Sequence, residues 1–323
     1  MSQVTDQDTV APEGAVALPD LPDLSDLPLA PGREPIKERA ARVTMEALQK
    51  TSMKIDLLRH RFHHKRALRL FRTRPDDIFI TSFPKSGASL LQMMLYQLRT
   101  DGSMEIPHIC SVAPYFEHAI WRDRHMDLER LPSPRAFKTH LLREELEGID
   151  DVRWIYLLRN PGDAIESFYH HICLMGGFAV PREQFVGRAL EEDPHFGSWF
   201  QHVRSWWPHR LDSNVLFLRF EEVVGNLPET VERVAAFAGF ELDDERRERT
   251  IERCGIEFMR AHEPKFDPRL ETSLPEQPRF IRTGRTRSDW RSVFPPELQP
   301  RLQEQLDRSA KKLGTSVEAI VGG

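Results

Sequence analysis

The sequence of 323 residues has few cysteines, and their placement excludes two common kinds of site. The three cysteines, Cys110, Cys173 and Cys254, are odd in number and widely spaced. Neither a disulfide framework nor a C-x-x-C zinc pattern can be built from them. This cysteine usage suits a reducing cytoplasm.

Signals for secretion and for membrane insertion are also missing. The first ten residues, MSQVTDQDTV, have no basic start and no following apolar run, which a signal peptide requires. No apolar run approaches the roughly 20 residues that span a bilayer. We therefore expect a cytoplasmic protein without a transmembrane segment. The formal net charge of -5 argues against general binding of nucleic acid.

Lysine and arginine are absent from residues 1–32, and this absence marks a predicted boundary. Residues 1–34 combine aspartates and leucines with five prolines, which rule out a continuous helix, so we predict an acidic, proline-rich disordered tail. Residues 35–323 form the predicted domain, beginning with a basic helical segment at 35–72. We interpret its run RHRFHHKR at 59–66 as a solvated face. Peripheral contact with an anionic membrane and pairing with the acidic tail are the alternatives.

Apolar runs then alternate with helical patterns. Runs at 78–80, 135–139, 152–158 and 214–220 predict strands. Helical patterns follow Gly87 and occupy 163–171, 197–207 and 228–260. This alternation predicts an α/β fold with a central parallel sheet flanked by helices. The predicted core spans 76–262, followed by a long closing loop at 263–291 and a C-terminal helix at 296–312.

Basic and titratable side chains follow three of these predicted strands. Lys85 lies in a turn between a strand and a helix, where backbone N–H groups and the positive end of the helix dipole converge. His140 and Arg159 each follow a strand of their own. The carboxyl ends of parallel strands meet at one edge, where such sheets bind ligands. The residues therefore predict an anion site with a base beside it.

A P-loop nucleotide phosphotransferase, or kinase, is the first candidate for such a site. Its loop requires the pattern G-x-x-x-x-G-K-[ST], in which the glycines precede the lysine. Here Lys85 precedes Gly87, and no glycine stands upstream in the loop. No carboxylate suited to Mg²⁺ follows an apolar strand near the loop. The phosphotransferase is therefore kept only as an alternative, and we expect no metal site.

Four motifs in chain order resemble those of the cytosolic-type sulfotransferases, which use 3′-phosphoadenosine 5′-phosphosulfate (PAPS). They are TSFPKSGASLL at 81–91, FKTHL at 137–141, LLRNPGDAIESFYHH at 157–171 and FIRTGRTRSDWR at 280–291. The resemblance covers roughly residues 76–312. It implies a P-loop-like sulfotransferase fold, PAPS as the sulfonate donor without a metal, and a hydroxyl or phenol of a small molecule or lipid as the acceptor.

The resemblance also implies roles for single residues. His140 would be the general base, Lys85 would contact the bridging oxygen and the sulfonate, and Lys138 would neutralise charge on the transferred sulfonate. A phosphosulfate loop, a clamp on the 3′-phosphate and an adenine contact would bind the donor. These binding residues are Lys85, Ser86, Gly87, Ala88, Ser89, Leu90, Arg159, Ser167, Phe220, Arg282, Thr283 and Gly284.

The chain departs from the family pattern at several of these positions. The family usually has Thr-Thr-Trp after the loop glycine, with the tryptophan stacking on adenine, where this chain has Ala88-Ser89-Leu90. One hydroxyl contact and the aromatic stack on adenine are therefore weakened. Phe220 aligns with an adenine-contacting tyrosine. Thr283 stands where the family has a lysine beside Arg282. A catalytically weak PAP(S)-binding protein is therefore a further alternative.

The acceptor and the oligomeric state have no signature in the sequence. Two histidines, His170 and His171, compete with His140 for the role of base, but their position in the clamp helix favours packing or capping. An apolar acceptor pocket could be lined by five aromatic residues: Phe116, Trp121, Phe178, Phe266 and Phe280.

Overall fold

In a computed structural model of the protein, the structure describes residues 67–121, 127–176, 181–191, 197–267, 279–282, 284 and 289–322. The predicted tail at 1–34 lies outside the described residues, as do most of the basic segment at 35–72 and much of the closing loop at 263–291. The domain boundaries drawn there stay predictions.

The four predicted strands form one parallel sheet in the order β2-β1-β3-β4. Their bounds are β1 Ile78–Thr81, β2 Ala136–Thr139, β3 Arg153–Leu158 and β4 Val215–Arg219. The register places Ile80 of β1 opposite Lys138 of β2 on one side and opposite Ile155 of β3 on the other. The predicted central parallel sheet is confirmed.

Helices account for most of the remaining described residues. Their bounds are α1 Ala88–Arg99, α2 Phe116–Trp121, α3 Pro161–Gly176, α4 Arg182–Ala189, α5 Trp199–Trp206, α6 Phe220–Gly225, α7 Leu227–Ala238, α8 Asp244–Cys254, α9 Ile256–Ala261, α10 Gln299–Leu313 and α11 Val317–Val321. The helical stretch predicted at 228–260 is divided among three helices, with left-handed Gly239 ending α7 and Gly255 separating α8 from α9. None of the described helices is long and apolar enough to cross a membrane.

Alternate residues of each strand enter two different hydrophobic cores. Phe79 of β1 packs with Trp154 of β3 on one face of the sheet, whereas Ile78 and Ile80 belong to the core on the other face. Because helices cover both faces, the strands are continuous apolar runs rather than alternating ones. Phe116 is fully buried in the first core, so it is a packing residue and does not line an open pocket.

A buried ion pair joins the amino-terminal ends of β1 and β2. The guanidinium of Arg135 donates to both carboxylate oxygens of Asp77, from Nε at 2.8 Å and from Nη2 at 2.7 Å. Both side chains are 0% exposed. The same guanidinium also donates to the carbonyl of Arg72 at 2.6 Å. These contacts hold together the amino-terminal ends of β1 and β2, whereas the predicted site lies at the carboxyl ends of the strands.

We expect the substitution Arg135→Met to lower the free energy of unfolding by about 3–5 kcal/mol, because it leaves the Asp77 carboxylate buried without its partner. The matched control is Arg130→Met, since Arg130 also pairs with an aspartate, Asp127, but its side chain is 87% exposed. The control is expected to be nearly neutral. Urea unfolding followed by tryptophan fluorescence compares the two variants. Equal stability of both would contradict a structural role for the buried pair.

Candidate active site

The loop between β1 and α1 has an unusual backbone at two positions. Lys85 has a φ of 64° and Gly87 has a φ of 108°, both in the left-handed region. The lysine conformation costs roughly 1–2 kcal/mol, which contacts with the rest of the protein must offset. One such contact is the bond from Nη1 of Arg159 to the carbonyl oxygen of Lys85, at 3.1 Å. Residues that follow two neighbouring strands therefore hold each other in place.

Gly87 is required by packing as well as by its backbone angles. A Cβ atom at this position would lie 2.7 Å from two ring carbons of Phe220. The same ring lies beneath the guanidinium of Arg159, 4.4 Å from centroid to Cζ. Phe220 is the first residue of α6 and is buried, so it supports both the loop and the arginine. One of its faces is therefore already used by the protein.

Several polar groups of the loop are buried without a partner among the described residues. They are the hydroxyls of Thr81, Ser82 and Ser86. Gly87 precedes α1 without a side-chain cap at that helix end. A buried hydroxyl that makes no hydrogen bond costs free energy, and an anion at the start of a helix could accept from one. The loop therefore has the composition of an anion cradle, to which the hydroxyl of Ser86 would donate.

A shallow pocket that opens to solvent lies beside this loop. Its lining is formed by Lys85, Ser167, His170, His171, Arg279, Phe280 and Arg282. The ammonium of Lys85 sits over the ring of Phe280, 3.7 Å from its centroid. The described part of the lining contains several cationic or imidazole groups and no carboxylate, so the pocket suits an anionic ligand.

Burial and nearby positive charges change the pKa of Lys85. Burial, followed by the positive charges of Lys138, Arg159 and Arg282, lowers the pKa of Lys85 to about 7. Part of its side chain remains accessible to solvent. A bound anion would reverse the electrostatic part of this effect and favour the charged ammonium. Lys85 is therefore poised to become fully charged when an anion binds.

His140 follows β2 and is held by two hydrogen bonds. Its ring Nδ1 lies 2.7 Å from the carbonyl oxygen of Ser82, and its backbone N–H donates to Oε1 of Glu117 at 2.7 Å. A carbonyl oxygen can only accept, so Nδ1 carries a proton and Nε2 keeps the lone pair of a neutral ring. Burial, followed by the charge of Lys138, holds the pKa of His140 well below its ordinary value. The ring is therefore neutral near pH 7, with Nε2 free of protons.

Glu117 contacts the backbone of His140 and was not predicted from the sequence. Its side chain is 3% exposed, and burial raises its pKa to about 7 despite the hydrogen bonds from His140 and Thr139. The feature of the sequence that could have indicated Glu117 is its position as an acidic residue inside the largely apolar stretch PYFEHAIW at 114–121. The neighbouring Tyr115 contributes as well, because the ammonium of Lys138 lies 4.9 Å from the centroid of its ring. Together these groups fix the segment that carries His140.

The structure brings most of the sequence-predicted residues to one region. Lys85, Ser167 and Arg282 line the same pocket, and Arg159 donates a hydrogen bond to the backbone of Lys85. The charge of Lys138 lowers the pKa of Lys85, and the charge of Lys85 in turn lowers the pKa of His140. Three others, Ala88, Ser89 and Leu90, form the first turn of α1. Gly284 has a φ of 59°, and a Cβ there would lie 2.6 Å from Cδ1 of Ile256. Thr283 lies outside the described residues.

The aromatic residues expected around an acceptor are dispersed. Phe280 lines the pocket, whereas Phe266 is buried in the core beneath α1. Phe178 and the side chain of Trp121 lie outside the described part of the chain. Within the described ranges, no cluster of three or more histidine, cysteine, aspartate or glutamate side chains is arranged to hold a metal ion.

Comparisons with known proteins agree on one family. Residues 75–314 match the model of the sulfotransferase domain. Sulfotransferase 1B1 of Mus musculus is 31% identical over 263 residues, which is 77% of this chain and 86% of that protein. Sulfotransferase 4A1 of Mus musculus is 33% identical over 191 residues, or 57% of this chain and 67% of that protein. The crystal structure of mouse sulfotransferase SULT7A1 complexed with PAP aligns with a TM-score of 0.61 and 26% identity, covering 76% of this chain and 88% of that one.

We predict that His140 keeps its proton on Nδ1 and stays neutral throughout the neutral range. Because its pKa is lowered, protonation of Nε2 should begin only well below pH 6.5. The measurement is a pH titration of the ring nitrogen chemical shifts by NMR, with His140→Gln used to assign the signals. A proton found on Nε2, or a titration at or above pH 6.5, would contradict the arrangement with Ser82.

Proposed function

The chain belongs to the sulfotransferase domain family, and on that premise we propose that it transfers a sulfonate group from PAPS to a hydroxyl or phenol of a small-molecule or lipid acceptor. The observation that carries this proposal is the neutral His140, whose Nε2 is free to take a proton and whose neighbours include Lys138. We further propose that the reaction takes place in the cytoplasm.

The residues present fit the donor at both of its anionic ends. Bound PAPS supplies the activated sulfonate, and its two phosphates carry most of its negative charge. The Ser86 hydroxyl and the start of α1 would hold the 5′ end, since Ser86 is buried and lacks a partner among the described residues. Ser167 and Arg282 would hold the 3′-phosphate from the pocket lining, with Arg159 beside them.

His140 would act on the acceptor as a general base. As the acceptor oxygen forms its bond to sulfur, its proton passes to Nε2 of His140, and the bond from sulfur to the 5′-phosphate oxygen breaks. The carbonyl of Ser82 holds the ring by its other nitrogen throughout the transfer. The PAP product keeps the electron pair of the broken bond, and the proton leaves His140 for solvent afterwards.

Lys85 and Lys138 would act on the charge that develops during transfer. Lys138 lies on β2, two residues before His140, and its positive charge acts on the His140 ring. Its ammonium would therefore lie beside the sulfonate oxygens next to the base. Lys85 would be protonated once the donor is bound, and it would stabilise the departing phosphate oxygen. The catalytic effect is mainly positioning and electrostatic stabilisation, as in phosphoryl transfer.

Phe220 would serve the donor indirectly. One face of its ring is taken by the guanidinium of Arg159, and its edge contacts Gly87. Its role in this proposal is to hold the loop and the clamp arginine in place, rather than to stack freely on adenine. Phe280 offers another aromatic surface in the pocket, next to Lys85.

We expect His140→Ala to abolish sulfonate transfer while PAP affinity stays within a few-fold of the wild-type value, because the base acts on the acceptor and not on the nucleotide. A screen with labelled PAPS against a panel of phenols, steroids and lipid alcohols measures transfer, and calorimetry measures PAP binding. Unchanged turnover would remove His140 from its assigned role.

The same assay separates the alternatives that the sequence left open. A phosphotransferase would turn over ATP with Mg²⁺ and would not need PAPS. A catalytically weak binding protein would bind PAP in calorimetry but would sulfonate no acceptor in the panel. Either result would replace the proposed activity.

We expect Arg159→Ala to weaken PAP binding by about 1.5–3 kcal/mol, since it removes a charged hydrogen-bonding partner of the 3′-phosphate. The loop would also lose its contact at the Lys85 carbonyl. The control is Arg308→Ala, which removes an exposed arginine from α10. Calorimetric titration with PAP compares both variants with the wild type. An unaltered affinity of the Arg159 variant would show that the clamp is assigned wrongly.

A further inference from the structure

His170 lies on the same helix face as a residue of the proposed phosphate clamp. Ser167 and His170 are three residues apart in α3, a spacing that places both side chains on one side of a helix. Both line the pocket, together with Arg282. Ser167 and Arg282 bind the 3′-phosphate in the proposed mechanism, whereas His170 has no role in it.

The buried carboxylate of Glu166 binds one ring nitrogen of His170 and leaves the other nitrogen to contact a ligand. Nε2 of His170 lies 3.2 Å from Oε1 of Glu166, and the other oxygen of Glu166 accepts from Nε and Nη2 of Arg182 at 3.1 and 2.9 Å. Arg182 is itself held by the carbonyl of Val293, at 2.9 Å. A carboxylate accepts, so Nε2 carries a proton and Nδ1 is the nitrogen left for a ligand. In a neutral ring Nδ1 is a lone pair, which a phosphate oxygen repels.

Burial and nearby positive charges disfavour the protonated form of His170, and an anion in the pocket would counteract the effect of those charges. Burial, followed by the positive charge of Arg282, lowers the pKa of His170, and Glu166 partly restores it. Among the residues that the structure describes, several titratable or charged groups lie around it. They are Glu166, Tyr169 and His171 on its own helix, Arg182 on α4, Arg279 and Arg282 from the closing loop, and Lys85 from the loop after β1. A phosphate in the pocket would offset the cationic members of this set.

We propose that His170 is a further ligand of the donor's 3′-phosphate, binding it as an imidazolium through Nδ1–H, so that binding of a 3′-phosphorylated nucleotide takes up a proton. The inference rests on the proposed function, because it presumes that the pocket receives this phosphate. A phosphate monoester carries a charge of about −1.5 to −2 near pH 7, which a further cation beside Arg159 and Arg282 would help to balance. Glu166 positions the ring, and Arg182 holds the Glu166 side chain in place through its two hydrogen bonds.

The test is calorimetry of the full chain with PAP and with 5′-AMP, which lacks the 3′-phosphate. Titrations at pH 7 in buffers with different ionisation enthalpies give the number of protons taken up with each nucleotide. Wild-type protein is expected to take up more protons with PAP than with 5′-AMP, and His170→Gln is expected to remove that difference. The variant should also bind PAP roughly tenfold more weakly at pH 6, where a charged hydrogen bond is lost, and less so at pH 8. Its affinity for 5′-AMP should be unchanged.

The matched control is His209→Gln, because His209 also pairs with a carboxylate, that of Asp212 at 2.8 Å, but outside the pocket. Thermal unfolding of both variants checks that the fold is retained. The proposal is overturned if His170→Gln binds PAP with wild-type affinity and wild-type proton uptake. It is equally overturned if PAP and 5′-AMP lose affinity by the same factor, since that result means a structural role. If the wild type binds no PAP and sulfonates no acceptor, the proposed function itself fails.

Discussion

Strand β1 pairs in parallel with β2 on one side and with β3 on the other, and the groups of the candidate site depend on this pairing. Because the three strands run the same way, the residues that follow them meet at one edge. Lys85 and Arg159 are 74 positions apart in the sequence, and Ser82 and His140 are 58 apart. Nevertheless the His140 ring contacts the carbonyl of Ser82, and Arg159 donates a hydrogen bond to the carbonyl of Lys85. The buried pair of Asp77 and Arg135 fixes the opposite end of the same strands.

At the carboxyl ends of the strands, several titratable side chains are buried, and burial disfavours their charged forms. The surroundings lower the pKa of Lys85 to about 7, lower that of His140, and raise that of Glu117 to about 7. All three shifts favour the neutral form, and burial is the largest cause of each. An anion that enters the site changes this balance for Lys85. We therefore expect the binding of an anion and the protonation of Lys85 to be coupled.

The sheet and much of the site could be predicted because each depends on a local pattern. Apolar runs predicted all four strands, since strands buried on both faces are apolar throughout. The helix ends after residue 227 were less evident, because Gly239 and Gly255 interrupt a continuous polar helical pattern. The residue type alone makes Phe116 a candidate for an acceptor pocket, whereas the structure buries it among other aromatic rings. An aromatic side chain suits a core and a pocket equally well, so composition cannot separate the two.

The sequence by itself determined the kinds of groups available and their order along the chain. A lysine precedes a glycine, a Lys-Thr-His segment follows, and then come an arginine just before a helix and a serine within that helix. Only the tertiary structure decided how these groups are held. The tautomer of His140 depends on the backbone carbonyl of Ser82, which has no sequence signature because every residue has such a carbonyl. Glu117 reaches His140 from 23 positions away, and Phe280 reaches Lys85 from the distant closing loop. Such contacts arise from packing between separate elements, which no local pattern encodes.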